Sequence, residues 1–167
     1  MLQLASRAMP DIDAAHYRQV LGHFPTGVTV ITATGSEGRP AGFAVGSFFS
    51  VSLDPPLVGF CAGKSSSSWP GIRSAGSFCV NILAEDQEAV CRQFSSKADD
   101  KFAGLGWQPA ASGSPRIADV LAWIDCDIEA VHDAGDHEIC VGRVKELGVE
   151  RENGPLLFYR GGYGQFS

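Results

Sequence analysis

The sequence predicts a mainly β protein, a closed or split β-barrel with two or three flanking helices. Three observations carry this. Short β-branched or alternating runs recur along the chain between glycine- and proline-rich turns, and only three stretches show helical spacing. Charged residues are 19% of the 167 residues against 44% hydrophobic, with 20 glycines. A chain of this length buries roughly 68–70% of its unfolded surface as one domain and needs no staples. Many strands with few helices are resolved by closing a sheet on itself.

Met1 to Pro10 reads as a poorly ordered lead-in, so 1–12 precedes a single domain over 13–167. Asp13 is placed to cap a helix in which Tyr17, Val20, Leu21 and Phe24 recur at helical spacing, and Pro25 ends it. Gly27 to Thr34 is β-branched and extended, and Gly35 to Gly38 turns the chain. Gly42 to Pro56 is too polar for an ordinary core strand and too apolar for a solvent loop. Its small residues Ala44, Gly46 and Ser47 let a ligand approach the backbone, while Ser47, Ser50 and Ser52 offer hydroxyls. Phe48, Phe49, Val51 and Leu53 are expected to anchor it in the core, and Pro55 and Pro56 end it.

Leu57 to Ala62 is a buried strand, and after Gly63 to Ser68 a helix opens near Trp69-Pro70. Lys64 and the serines there suit an anion or a plain helix cap equally well. Ser77 to Leu83 is a strand, and Asp86 to Lys97 a helix with Val90 and Phe94 inward. Ala98 to Gly113 is a loop carrying Lys101, Phe102 and Trp107. Leu121 to Val131 alternates: Ile124, Cys126, Ile128 and Ala130 face in, with Asp125, Asp127 and Glu129 out. His132 to His137 turns, Glu138 to Val149 returns, and Leu156 to Arg160 is the last strand. Tyr163 reads equally as a pocket residue or as part of a loose tail.

A net charge of −6 argues against nucleic acid and against an anionic membrane surface. The longest uncharged stretch, Pro40 to Leu53, holds serines and glycines and cannot span a bilayer, and no signal peptide is visible. Five cysteines without a Cys-x-x-Cys pair (Cys61, Cys79, Cys91, Cys126, Cys140) read as buried thiols in a reducing, cytoplasmic setting. Gly59-x-x-x-Gly63-Lys64-Ser65 is one residue short of a phosphate loop, no Gly-x-Gly-x-x-Gly precedes a helix, and no Gly-x-Ser-x-Gly elbow exists. His132, Asp133, Asp136, His137 and Glu138 could supply metal ligands, but neighbours on a strand point to opposite faces, so no metal is expected.

Phe24-Pro25-Thr26-Gly27-Val28-Thr29-Val30-Ile31-Thr32 followed by Gly42 to Pro56 resembles the flavin reductase family. So do Phe78 to Leu83, Asp100-Lys101-Phe102-Ala103-Gly104, Gly135-Asp136-His137 and Pro155 to Gly161. The matches run in order from about Tyr17 to the C-terminus. The resemblance implies an FMN-binding split barrel that uses NADH or NADPH to reduce FMN or FAD. It implies a homodimer that passes diffusible reduced flavin to a flavin-dependent oxygenase component. A flavin-binding electron carrier or sensor that keeps its flavin is the alternative, and a haem-binding barrel ranks below both. By resemblance Phe43, Ala44, Val45, Gly46 and Ser47 border the flavin ring. Ser50, Ser52, Cys61 and Ala62 follow the ribityl chain. Lys64, Ser67 and Ser68 hold phosphate, and Lys101 and Phe102 close over it. His137 positions the nicotinamide, with Tyr163 completing that pocket. Ala44 stands where threonine is common and Gly46 where asparagine or serine is, so a side-chain bond is lost at each.

Overall fold

A computed structural model describes residues 11–35 and 37–166; most of the expected lead-in, residues 1–10, lies outside the described residues. The chain runs α1 (Ala14–Leu21), β1 (Thr26–Gly27), β2 (Thr29–Thr34), β3 (Pro40–Val45), β4 (Phe49–Ser52), β5 (Leu57–Gly63), α2 (Trp69–Ala75) and β6 (Ser77–Ile82). It continues through α3 (Glu88–Ser95), β7 (Trp107–Pro109), β8 (Pro115–Ile117), β9 (Ala122–Ala134), β10 (His137–Val149), β11 (Leu156–Tyr159) and β12 (Gly162–Gln165). Seven strands form one antiparallel sheet in the order β3-β2-β6-β9-β10-β5-β4. Its two outer strands, β3 and β4, are consecutive in the chain and separated only by Gly46-Ser47-Phe48. The sheet therefore curls until its ends meet, and they meet without pairing: a split barrel. Across the split the Phe43 and Phe60 rings lie edge to face at 6.0 Å.

Local chemistry explains the elements. Asp13 caps α1, its carboxylate accepting the His16 N–H at 3.1 Å. Pro70 sits in the first turn of α2, where its missing N–H costs nothing, and Gly76 ends the helix at a φ of 74°. The β9–β10 hairpin, 13 residues in each strand, turns at Gly135 with a φ of 69°. Gly142 lies against the Phe78 ring, only 2.4 Å from where a Cβ would stand, so the strand has no room for any other residue there. Two cores occupy the sheet's two faces. Ile31, Phe43, Phe60, Trp69 and Phe78 fill the first; Val30, Leu83, Phe94, Phe102 and Trp123 fill the second.

Two cores change several readings. Asp125 was expected to face solvent and is fully buried. The face of β9 opposite Ile124 is covered by the loop before β8, where Ser112 donates to Asp125 from its N–H at 2.9 Å and its hydroxyl at 2.5 Å. The loop expected over 98–113 is not irregular throughout, because β7 lies within it and pairs with β8 just beyond it, and the hairpin is pinned by Asn81, whose side-chain oxygen accepts Ile117 N–H at 2.8 Å. Past the strand expected to be last, β12 pairs with β11 and brings Tyr163 opposite Phe158. Phe49, Val51 and Leu53 do not enter the core. They are 41%, 45% and 92% exposed, because β4 is an edge strand and the turn after it stands clear of the barrel. The helix expected over 86–97 is shorter at both ends, with the Gln87 side chain bonded to Ala84 N–H and Ala118 C=O. Cys79, Cys91, Cys126 and Cys140 are buried and Cys61 half-buried, all with free thiols. Among the described residues no helix is long and apolar enough to cross a membrane.

Candidate functional site

One edge of β3 is paired with β2; the other faces the split. Main-chain groups alternate along a strand. Gly42 C=O points outward to Lys101, so Ala44, two residues on, presents its N–H and C=O on the same open edge. Three clefts follow this edge: about 270 Å³ beside Pro40, Ala41 and Gly42, 170 Å³ beside Ala44, Val45 and Gly46, and 330 Å³ from Gly46 to Phe48. The last two share Val28 and Gly46 and so form one groove.

The first cleft is cationic. Ser67, Ser68, Lys97, Lys101 and Phe102 line it, with one carboxylate, Asp99, against the two lysines. Lys101 Nζ donates to Phe94 C=O at 3.1 Å, Ser68 Oγ at 3.4 Å and Gly42 C=O at 3.5 Å. All three partners are neutral, and burial lowers the Lys101 pKa from its ordinary value. Gln93 fixes this segment from α3, its amide donating to both Lys101 C=O and Ala103 C=O at 2.9 Å. Phe102 locks it by inserting beside Phe94, ring centres 5.0 Å apart. Ser66, not Ser68, bonds the first N–H of α2, which leaves the Ser67 and Ser68 hydroxyls facing the cleft. A partly desolvated cation with only neutral partners suits a phosphate.

The groove is apolar with a polar point. Ala44, Val45, Cys91, Phe158 and Tyr163 line one half and Phe24, Gly46 and Phe48 the other. Thr26 supplies the polar point: its Oγ1 is buried without a hydrogen-bond partner. A Cβ on Gly46 would lie 2.8 Å from that oxygen, so Thr26 occupies the space a side chain at 46 would need. The hydroxyl that the sequence lacks at 46 thus comes from β1. Only the quoted run Phe24-Pro25-Thr26-Gly27 signalled Thr26, and it attached no role to it. Tyr163 donates to or accepts from Cys91 Sγ at 3.3 Å and lies under the Arg92 guanidinium at 4.9 Å. The Cys91 contact, with burial, pushes its pKa up to about 12. Thr26 and the open β3 edge fit the polar rim of a flat ring, and the lysine cleft fits its phosphate.

Other candidates lie elsewhere. Phe43 points into the first core and lends the site only its backbone. Ser47 spans the split, accepting Cys61 N–H at 3.0 Å and donating to Cys61 C=O at 3.3 Å. Ser50 and Ser52 are on β4, paired with Val58 and Leu57, and Ala62 is fully buried. Lys64 is not brought to the lysine cleft: it is ion-paired with Asp133 and donates to Gly135 C=O at 2.6 Å. His137 pairs with Gly63 across β10 and β5, and Asp136 holds its Nδ1 at 2.8 Å, leaving Nε2 beside Gly63. The same contact lowers the Asp136 pKa. Among the described residues no three His, Cys, Asp or Glu side chains gather as a metal site would require.

Known proteins agree with this geometry. The model of the flavin reductase like domain matches residues 21–167. A flavin reductase of Pseudomonas putida is 55% identical over 93% of this chain and 92% of its own length. The reductase subunit HsaB of a flavin-dependent monooxygenase from Rhodococcus jostii is 53% identical over 91% of this chain and 77% of its own. The structure of the NADH:FAD oxidoreductase SgcE6 from Streptomyces globisporus, solved in complex with NAD and FAD fragments, superposes with a TM-score of 0.88. It is 36% identical, and the alignment covers 93% of each chain. The chain belongs to the flavin reductase family, as an oxidoreductase built on the split barrel.

Proposed function

We propose that this chain uses NADH or NADPH to reduce FMN or FAD and gives up the reduced flavin, by diffusion, to a flavin-dependent oxygenase component. The observation that carries the reading is the open β3 edge, flanked on one side by a groove holding the unpartnered Thr26 hydroxyl and on the other by Lys101. When bound, flavin supplies the hydride acceptor and reduced nicotinamide the donor. The protein's part is to bind, orient and exclude water. Main-chain groups of Ala44 to Gly46, with Thr26, orient the ring, and Lys101, Ser67 and Ser68 neutralise the phosphate. His137, its tautomer fixed by Asp136, positions the nicotinamide, and Tyr163 packs against the groove wall.

We take 13–167 as one flavin reductase-like domain, acting as a homodimer in the cytoplasm. The apolar side chains of β4 support the dimer, and free thiols the compartment. Anaerobic stopped-flow with catalytic protein, free FMN or FAD, and NADH or NADPH tests the activity. Multiple-turnover bleaching of the flavin is the expected outcome, and the four combinations rank the cofactors. Bleaching that stops at one protein equivalent would instead mark a carrier that retains its flavin.

A further inference from the structure

Outside the β3 clefts, one charged feature has no role in the site. Eight arginines fall among the described residues. Arg39, Arg73, Arg92, Arg116, Arg143 and Arg151 each meet a carboxylate. Arg18 and Arg160 make no such pair among the described residues, and residues 1–10 contain no acidic side chain. Both line the same cleft of about 400 Å³, together with His23, Gln19, Gly22 and Gly161. In a chain of net charge −6, the two uncompensated guanidinium groups have been gathered in one place.

Helix capping does not explain them. Cations collect at helix C-termini to meet free carbonyls, but the last carbonyls of α1 are already taken. Arg18 C=O accepts Gly22 N–H at 2.9 Å, and Gln19 C=O accepts the His23 ring Nδ1 at 2.8 Å. Val20 and Leu21 C=O accept the His23 and Phe24 N–H groups at 3.1 and 3.0 Å, and Gly22 C=O accepts Arg160 N–H at 3.0 Å. Arg160 also sits where arginine is disfavoured. The two-residue turn between β11 and β12 holds Arg160 at a φ of 50° and Gly161 at 78°, a backbone that favours Asn-Gly. A long cationic side chain kept in a strained turn points to a use for it.

Position supplies that use. The turn joins the strands that carry Phe158 and Tyr163 into the groove beside Ala44. Two residues along a strand is about 7 Å, so the arginine cleft lies one short arm away from the groove. Resting on the proposed flavin reduction, we infer that the Arg18–Arg160 cleft binds the pyrophosphate of a dinucleotide whose ring end lies in the groove. Arg18 and Arg160 take the phosphate oxygens, and His23, whose Nδ1 is engaged by Gln19 C=O, lines the same cleft. NAD(P)H and FAD share this chemistry, but with the flavin phosphate placed at Lys101 the dinucleotide that fits here is NAD(P)H.

Calorimetric titration with ADP, which carries the shared pyrophosphate and adenosine, tests the site without turnover. The wild-type chain should bind ADP in a salt-sensitive way, and Arg18→Gln and Arg160→Gly should each weaken that binding about tenfold. Glycine relieves the turn, so Arg160→Gly should melt no lower than wild type. Wild type failing to bind ADP, or variants binding it as tightly, would overturn the inference whether or not the chain reduces flavin. Turnover identifies the source. A raised KM for the nicotinamide with FMN as acceptor is the expected result; a raised KM for FAD alone would overturn the assignment to NAD(P)H.

Discussion

Both outer strands of the seven-stranded sheet come from one continuous stretch, 40–56, yet they are finished differently. The β3 edge is buttressed at Gly42 and open beyond it: α3 packs on β3, the Phe94 ring rests on Gly42, and Lys101 reaches its carbonyl. At the β4 edge, apolar side chains stand in solvent, and just before the strand Ser47 links back to Cys61 of β5. An open strand edge invites either a ligand or another chain. The β3 edge, with its clefts and the partly desolvated Lys101, suits a small anionic ring compound; the apolar one suits a second copy of the protein.

Gly42→Val strikes the β3 edge hardest. A Cβ there would stand 2.7 Å from the Phe94 ring and 3.0 Å from Ile31 C=O. The helix and the Lys101 segment must then shift, with an expected loss of about 3 kcal/mol on urea unfolding and of measurable flavin turnover. Normal stability with normal KM would mean that α3 does not organise this edge.

Lys101→Met sharpens the assignment. It should raise the KM for FMN about tenfold, the worth of one charge-assisted contact, and leave riboflavin, which lacks phosphate, unchanged. Lys64→Met is the companion variant. With its ammonium held by Asp133 it should alter the FMN KM by about twofold at most; an effect matching Lys101→Met would place Lys64 at the phosphate after all.

The smallest effect on chemistry is expected at the other edge. Val51→Lys should lower the mass seen by sedimentation from dimer to monomer while the circular dichroism spectrum stays unchanged. A wild-type monomer, or a dimer indifferent to the charge, would remove β4 from the contact.

The strands were legible where pattern and environment agree. The Thr29–Thr34 run is buried at nearly every position, and its β-branched composition announces that. Alternation misled at Asp125 because period-two reading assumes one wet face, and β9 has a core on each side. Tyr163 was undecided because the pairing that fixes it, β12 on β11, depends on a two-residue turn occupied by Arg-Gly rather than the usual Asn-Gly. Thr26 could not be singled out by type: its importance lies in an absence, the missing side chain at Gly46, and a close approach between distant residues leaves no local pattern. Phe49 and Leu53 looked like anchors because hydrophobicity does not tell a core from an edge that another surface can cover.

The buried thiols bear on how such a protein survives its own product. Free reduced flavin reacts with dioxygen to form hydrogen peroxide, and peroxide attacks the thiolate form of cysteine. Burial pushes Cys79 and Cys140 up to about 12 and Cys126 higher still. At neutral pH all three are therefore held in the unreactive thiol form. The same packing that closes the barrel keeps these three thiols chemically silent beside a source of oxidant.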